Sequence, residues 1–167
     1  MGTGTVFKEK SLDSTIKKGR LGYNLLEKEL LKREWDIYLP LLEDTKIDCI
    51  AIKNNHLIKF QIKTINIDKR DNRKLLPVRK ISHNQGQYKI HLYNKSEIDY
   101  FIGTDIETED LYIVPIDFIM KYSSSIGIKA LEPYKNNFTQ LEPQIGNSLS
   151  GCDDIGEALT GNNEGIE

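Results

Sequence analysis

Residues 47–64, IDCIAIKNNHLIKFQIKT, limit the fold more than any other stretch, because two alternating apolar runs flank an Asn-Asn pair. Asn accepts positive φ at little cost, so Asn54 and Asn55 are expected to form a two-residue hairpin turn. That turn pairs Lys53 with His56 and, counting outward, Ala51 with Ile58, Cys49 with Phe60, Asp48 with Gln61 and Ile47 with Ile62. Cys49, Ala51, Ile58 and Phe60, together with Ile47 and Ile62, then line one apolar face that must be buried. A slip of one residue would turn that face to water. On the opposite face Asp48, Gln61 and Lys63 fall together, since Gln61 and Lys63 are two apart on one strand and Asp48 is the cross-strand neighbour of the first. Three side chains able to ligate or to exchange protons converge there.

A chain of 167 residues with 38% hydrophobic and 29% charged residues has room for one globular core, expected over residues 1–141. No apolar run approaches the roughly 18 residues of a membrane helix, and the start, MGTGTVFKEK, has no signal-peptide core. A cytoplasmic setting is expected, nucleoid-associated if the partner is DNA, with no membrane partner. Val6 stands where an acylation signal would want Ser or Thr. Cys49 in a buried strand and Cys152 in a polar tail do not suggest a disulfide, and Cys49 reads as small core filler.

The net charge of −2 conceals a division. From Glu142 onward there are six acidic residues and no Lys or Arg, which leaves 23 basic against 19 acidic residues, a charge of +4, in the body. Residues 142–167, rich in Gly, Asn and Ser, are expected to form an acidic and weakly ordered tail.

Toward the N-terminus, Ser14 or Thr15 would cap a helix carrying Leu21, Leu25, Leu26, Leu30 and Leu31 at helical spacing and ending near Trp35. IYLPLL gives an extended segment broken by Pro40. DYFIG and LYIVPI are two further strands, and FIMKY begins a second helix. Between the hairpin and DYFIG, residues 64–93 have strand-like ends and a basic middle, with seven Lys or Arg against two Asp. Lys69, Arg70, Arg73, Lys74, Arg79 and Lys80 suit phosphate, and Ser82, His83, Asn84, Gln85 and Gln87 suit base edges. A two-stranded ribbon of this kind fits the major groove of double-stranded DNA, with Arg73 or Arg79 on guanine and Asn84, Gln85 or Gln87 on adenine. Lys17, Lys18 and Arg20 at the helix start would touch backbone phosphate. Neither His56 nor His91 has a Cys or His partner at metal-ligand spacing.

The order of helix then sheet, KKGRLG at 17–22, Glu27 in the helix, Asp48 in KIDCIA and QIK at 61–63 together resemble the PD-(D/E)xK nuclease superfamily. More narrowly, the Gln-x-Lys variant resembles the small homing endonucleases of this fold encoded in cyanobacterial group I introns. The resemblance covers residues 17 to about 120. It implies an α/β (α+β) restriction-endonuclease-like core, with a mixed central sheet flanked by helices and a DNA-reading β extension. It also implies catalysis by Asp48, Gln61, Lys63 and Glu27. Mg²⁺, for which Mn²⁺ would substitute, would be held by Asp48, the Ile62 carbonyl and Glu27, with Gln61 completing the shell, and Lys63 would orient or deprotonate the attacking water. Two features depart from the family pattern. Gln61 replaces the commoner acid, and Tyr23 stands where many relatives carry Glu, leaving Glu27 one helical turn later on the same face.

The expected activity is therefore Mg²⁺-dependent, site-specific double-strand DNA cleavage by an intron-homing enzyme acting as a homo-oligomer, dimer or tetramer, since one active site cuts one strand. Two other readings stand beside it: a Holliday-junction resolvase or repair nuclease of the same fold, and a catalytically silent DNA-binding module. Taken singly, the residues also have plain roles, Asp48 and Lys63 as a solvated cross-strand ion pair, Gln61 as polar filler and Glu27 as a surface helix residue.

Overall fold

The computed structural model describes residues 12–42, 45–84 and 87–142. Its first element is helix α1, Leu12–Leu31. The helix starts ahead of the expected caps Ser14 and Thr15 and stops before Trp35. The stop is a Schellman motif: the amide of Trp35 donates to Leu30 O (3.2 Å) and that of Glu34 to Leu31 O (3.0 Å). Glu34 occupies the left-handed position with φ 61°, usually held by Gly. Of the leucines spaced for one face, Leu26 and Leu30 are fully buried, whereas Leu21 and Leu31 stay exposed. Tyr23 takes their place in the core.

After α1 come β1 (Asp36–Tyr38), β2 (Cys49–Lys53) and β3 (His56–Thr64). Asn54 and Asn55 have φ of 51° and 61°, the two successive left-handed residues of a type I′ turn. The ladder pairs Lys53 with His56, Ala51 with Ile58 and Cys49 with Phe60, as the turn dictates. It goes no further. The amide of Asp48 donates to Phe60 O at 2.8 Å, and Phe60 is the partner of Cys49, so two residues of one strand oppose one of the other. The expected pairs Asp48–Gln61 and Ile47–Ile62 are lost to this bulge. Ile62 packs with the α1 side of the sheet and Ile47 with the opposite side.

The chain then forms β4 (Asn66–Asp68), β5 (Arg73–Pro77), β6 (Lys80–Asn84) and β7 (Gln87–His91) before returning as β8 (Tyr100–Asp105) and β9 (Asp110–Pro115). Helix α2 (Ile116–Ile119) is a single turn beginning two residues before the expected FIMKY, and β10 (Ser125–Gly127) follows. The central sheet runs β1-β2-β3-β8-β9, antiparallel except for the parallel pair β3 and β8, which sets Gln61 beside Phe101 and Lys63 beside Gly103. It is a mixed α+β fold. One face carries α1 over Cys49, Ala51, Ile58, Phe60, Ile102 and Ile113. The other carries the small sheet β10-β5-β4 and α2 over Phe101, Tyr112 and Val114.

The basic segment thus divides. Leu76 and Val78 are fully buried, so β5 is drawn into the body and pairs with β10, and only β6 and β7 form a two-stranded ribbon, pairing with no other described strand. No helix among the described residues is long and apolar enough to cross a membrane. Cys152 and the acidic tail beyond Glu142 lie outside the described residues, while Glu142 itself meets Lys53 at 3.1 Å.

Candidate active site and nucleic-acid surface

The bulge that ends the β2–β3 ladder also builds the site. In β3, Phe60 and Ile62 point their backbone groups the same way, toward β2, but β2 begins only at Cys49 and leaves Ile62 without a strand opposite. The Asp48 side chain fills the gap: its Oδ2 accepts from the Ile62 amide at 2.7 Å and also from the Gln61 amide nitrogen. The Ile62 carbonyl, on the same side, meets only Gln61 Nε2 at 3.4 Å among the described residues. Gln61 is 4% exposed, so its amide is committed to this cluster and not to water. Lys63 follows two residues on, its Nζ 6.0 Å from the centre of the Tyr93 ring and without a hydrogen-bond acceptor among the described residues.

Burial dominates the electrostatics. It raises the Asp48 carboxyl above its ordinary pKa, although the Ile62 amide, Lys63, Lys80 and Gln61 all pull the other way. It lowers the Lys63 ammonium, with Lys80 adding to the fall and Asp48 opposing it. A carboxylate that is underprovided with positive charge in a desolvated corner is the electrostatic setting a divalent cation relieves.

Asp48, Ile62 and Lys63 open on a cleft of about 430 Å³ lined also by Gly19, Tyr23, Thr64, Asn66 and Pro77. Helix α1 reaches the cleft because it crosses β8 closely. A Cβ on Gly22 would stand 2.5 Å from Thr104 Oγ1, so only Gly fits, whereas Gly19 faces open space. Tyr23 follows directly, and its hydroxyl donates to Glu27 Oε1 at 3.2 Å. Burial, reinforced by Glu27, pushes Tyr23 up to about 12. Glu27 does not line the cleft; Tyr23 does, and Glu27 reaches it only by way of that hydroxyl.

Among the described residues no three His, Cys, Asp or Glu side chains converge as a metal cluster. What converges is one carboxylate, one carboxamide and one main-chain carbonyl, an oxygen-capable set suited to a hard cation that keeps several waters. Ligation through the Gln61 oxygen requires a half-turn of its amide, because the nitrogen now faces Asp48.

The basic candidates separate by partner. Arg70 is bound to Asp68 (2.9 Å), Arg73 to Asp71 (2.5 Å), and Lys74 to Asp105 (2.7 Å) and Glu107 (3.1 Å). Arg79 and Lys69 carry no ion pair among the described residues. Lys18, Lys69 and Lys74 line a second cleft, of about 600 Å³, that shares Thr64 and Asn66 with the first. Lys17 and Arg20 are exposed on the same end of α1, and Arg20 lies 5.2 Å from the Tyr23 ring centre. Lys80, at the foot of the ribbon, is close enough to influence both Asp48 and Lys63, a placement its position in a basic run did not reveal. Gln85 and the side chains of Ser82, His83, Asn84 and Gln87 lie outside what is described.

A family model described as PD-(D/E)XK endonuclease matches residues 14–143. The solved structure of a bacterial homing endonuclease, I-Ssp6803I, is similar with a TM-score of 0.63 and 23% identity, over 68% of this chain and 77% of that one. At that identity the likeness is one of fold. No curated protein matches the chain.

Proposed function

Since the chain belongs to the PD-(D/E)XK endonuclease family, whose members generally use divalent metal ions, we propose that it is a Mg²⁺-dependent, site-specific endonuclease of double-stranded DNA. The observation that carries this reading is the Asp48 carboxylate, buried at a ladder bulge, joined to Gln61 and the Ile62 amide and sharing a cleft with Lys63. Asp48, the Ile62 carbonyl and Gln61 would hold Mg²⁺, with Glu27 acting through Tyr23. The ion, when bound, supplies a Lewis acid for a phosphate oxygen and lowers the pKa of a water. Lys63 brings a positive charge to the scissile phosphate and orients the water beside it. Lys18, Lys69, Arg79 and Lys80, with the ribbon β6–β7, carry the duplex past the cleft.

We extend the reading to a recognition site read by the ribbon and to intron homing in the cytoplasm or nucleoid as the biological task; the fold, shared with a homing endonuclease, is compatible with it. One cleft cuts one strand, so a homo-oligomer, dimer or tetramer, would make the double-strand break. A second reading, a DNA-binding module without catalysis, is favoured by one observation: Gln61 leaves the site a single carboxylate.

Cleavage of a sequence-diverse DNA pool decides between them, using the wild-type chain, Asp48→Ala and Lys63→Ala with Mg²⁺ or EDTA and sequencing the ends. Metal-dependent cuts at one recurring sequence, lost in both variants, are expected. Undiminished cutting by Asp48→Ala would overturn the site, and salt-sensitive binding without cutting would establish the silent module.

A further inference from the structure

Tyr93 is 5% exposed, is packed edge-on against Phe101 at 5.0 Å, and stands two residues beyond the end of β7, where the ribbon returns to the body. Two features of this side chain have no role in the core. Its hydroxyl is buried without a hydrogen-bond partner among the described residues, an expense the protein could avoid by carrying Phe. Its ring faces Lys63 Nζ at 6.0 Å, and that ammonium, at the end of a flexible four-carbon stem, has no hydrogen-bond acceptor among the described residues. The same hydroxyl lies within the electrostatic reach of Asp48, whose charge, after burial, raises its pKa.

We infer that Tyr93 is a positioning residue of the active site: its ring seats the Lys63 ammonium, and its unpartnered hydroxyl is a donor held in reserve for the Asp48 corner in the working state. The inference rests on the nuclease reading for its catalytic consequence but not for its geometry. At the outer limit of cation–π range the ring steers the ammonium more than it binds it, which suits a group that must leave for a phosphate. A buried hydroxyl without a partner among the described residues, on a ring that faces a lysine of the Asp48 cleft, calls for a functional explanation.

Two variants separate the two parts. Tyr93→Phe keeps the ring and removes the hydroxyl; it is expected to fold at least as stably as wild type, to bind DNA equally, and to cut about tenfold more slowly in single turnover. Wild-type cutting by Tyr93→Phe would overturn the hydroxyl's role. For the ring, the ε-methylene proton resonances of Lys63, assigned by comparison with Lys63→Arg, are expected upfield of the other lysines in wild type and Tyr93→Phe. They return to the ordinary position in Tyr93→Leu. Lys63 resonances at the ordinary position in wild type, or unmoved in a folded Tyr93→Leu, would overturn the seat. Because this readout uses the protein alone, a wild-type chain that cuts no DNA refutes the nuclease reading while the resonances still decide whether the ring holds Lys63.

Discussion

The two glycines of KKGRLG sit on one helix under opposite constraints, and replacing each with Ala separates helix propensity from packing. Both lie inside Leu12–Leu31, so each Gly→Ala change should gain about 1 kcal/mol from propensity and reduced freedom of the unfolded chain. At Gly19 nothing lies within 4 Å of the new methyl, and that gain stands. At Gly22 the methyl meets Thr104 Oγ1 at 2.5 Å and Thr104 Cβ and Cγ2 at 3.2 Å, with Thr104 fully buried on a strand inside the central sheet. Neither strand nor side chain can retreat, so α1 must lift, at an overpacking cost of about 1–3 kcal/mol that outweighs the gain. Taking about 2 kcal/mol for the clash, Gly19→Ala is stabilised by about 1 kcal/mol and Gly22→Ala destabilised by about 1 kcal/mol. With a urea m-value of about 2 kcal/mol/M, the two midpoints separate by roughly 1 M. Thr104→Ala should recover much of the loss in the double variant, since the Thr104 hydroxyl has no hydrogen-bond partner among the described residues to forfeit. Equal midpoint shifts for the two glycine variants would refute the close helix–strand crossing. Gly19→Ala also adds a methyl to the lining of the cleft that Asp48 and Lys63 share, more than 4 Å from either, so it should slow cleavage by narrowing the path of the substrate while it stabilises the fold.

Other perturbations read other parts of the structure. Glu34→Gly relieves the left-handed residue of the Schellman motif and should stabilise the chain by about 0.5–1 kcal/mol, measured by urea unfolding; a loss of stability would mean that Glu34 does not close the helix. Gln61→Glu sets a second carboxylate against Asp48, so it should lower the melting temperature in EDTA and enlarge the rise on adding Mg²⁺; an unchanged response to Mg²⁺ would place any cation elsewhere. Burial pushes the Cys49 thiol up to about 12, with Asp48 and Glu27 adding to it, so in a Cys152→Ser background an aromatic disulfide reagent at pH 8 should label native protein on the order of 1000-fold more slowly than urea-unfolded protein. Rapid native labelling would show that the β2 face is open.

The hairpin was legible because its turn is chemically specified. Two Asn at positive φ fix the pairing of Lys53 with His56, and every pair out to Cys49–Phe60 follows by counting. Counting fails at Asp48, since no residue type announces a bulge: the sequence pattern allows Ile47 on either face, and packing against the second core decides it. The strands DYFIG and LYIVPI were legible from β-branched and aromatic runs. The helix face was misread because leucine spacing marks candidates only, and Tyr23, not Leu21, proved long enough to reach both core and cleft. Tyr93 carried no signal at all. It lies 30 residues beyond Lys63, and only the parallel return of the chain through β8 brings them together.

That bulge links backbone irregularity to chemistry. A regular ladder through Ile47 would have paired the Ile62 amide and carbonyl with a neighbouring strand and left the Asp48 carboxylate on the sheet surface, hydrated and free to ion-pair with Lys63. Instead β2 starts only at Cys49. The Ile62 amide is satisfied by Asp48, its carbonyl is left facing the Gln61 amide, and the two donors nearest Asp48 are both neutral. Neutral donors do not cancel a buried charge as an ammonium in contact would, and Lys63 is held off on Tyr93. The corner therefore stays short of positive charge in the resting protein. A neutral Gln in place of a second acid lessens that shortage and lowers the cost of folding without a cation, while its carbonyl oxygen remains within half a turn of Asp48. On this account the Gln-x-Lys pattern is a working compromise between resting stability and metal affinity. The Gln61→Glu variant would then give up the first to raise the second.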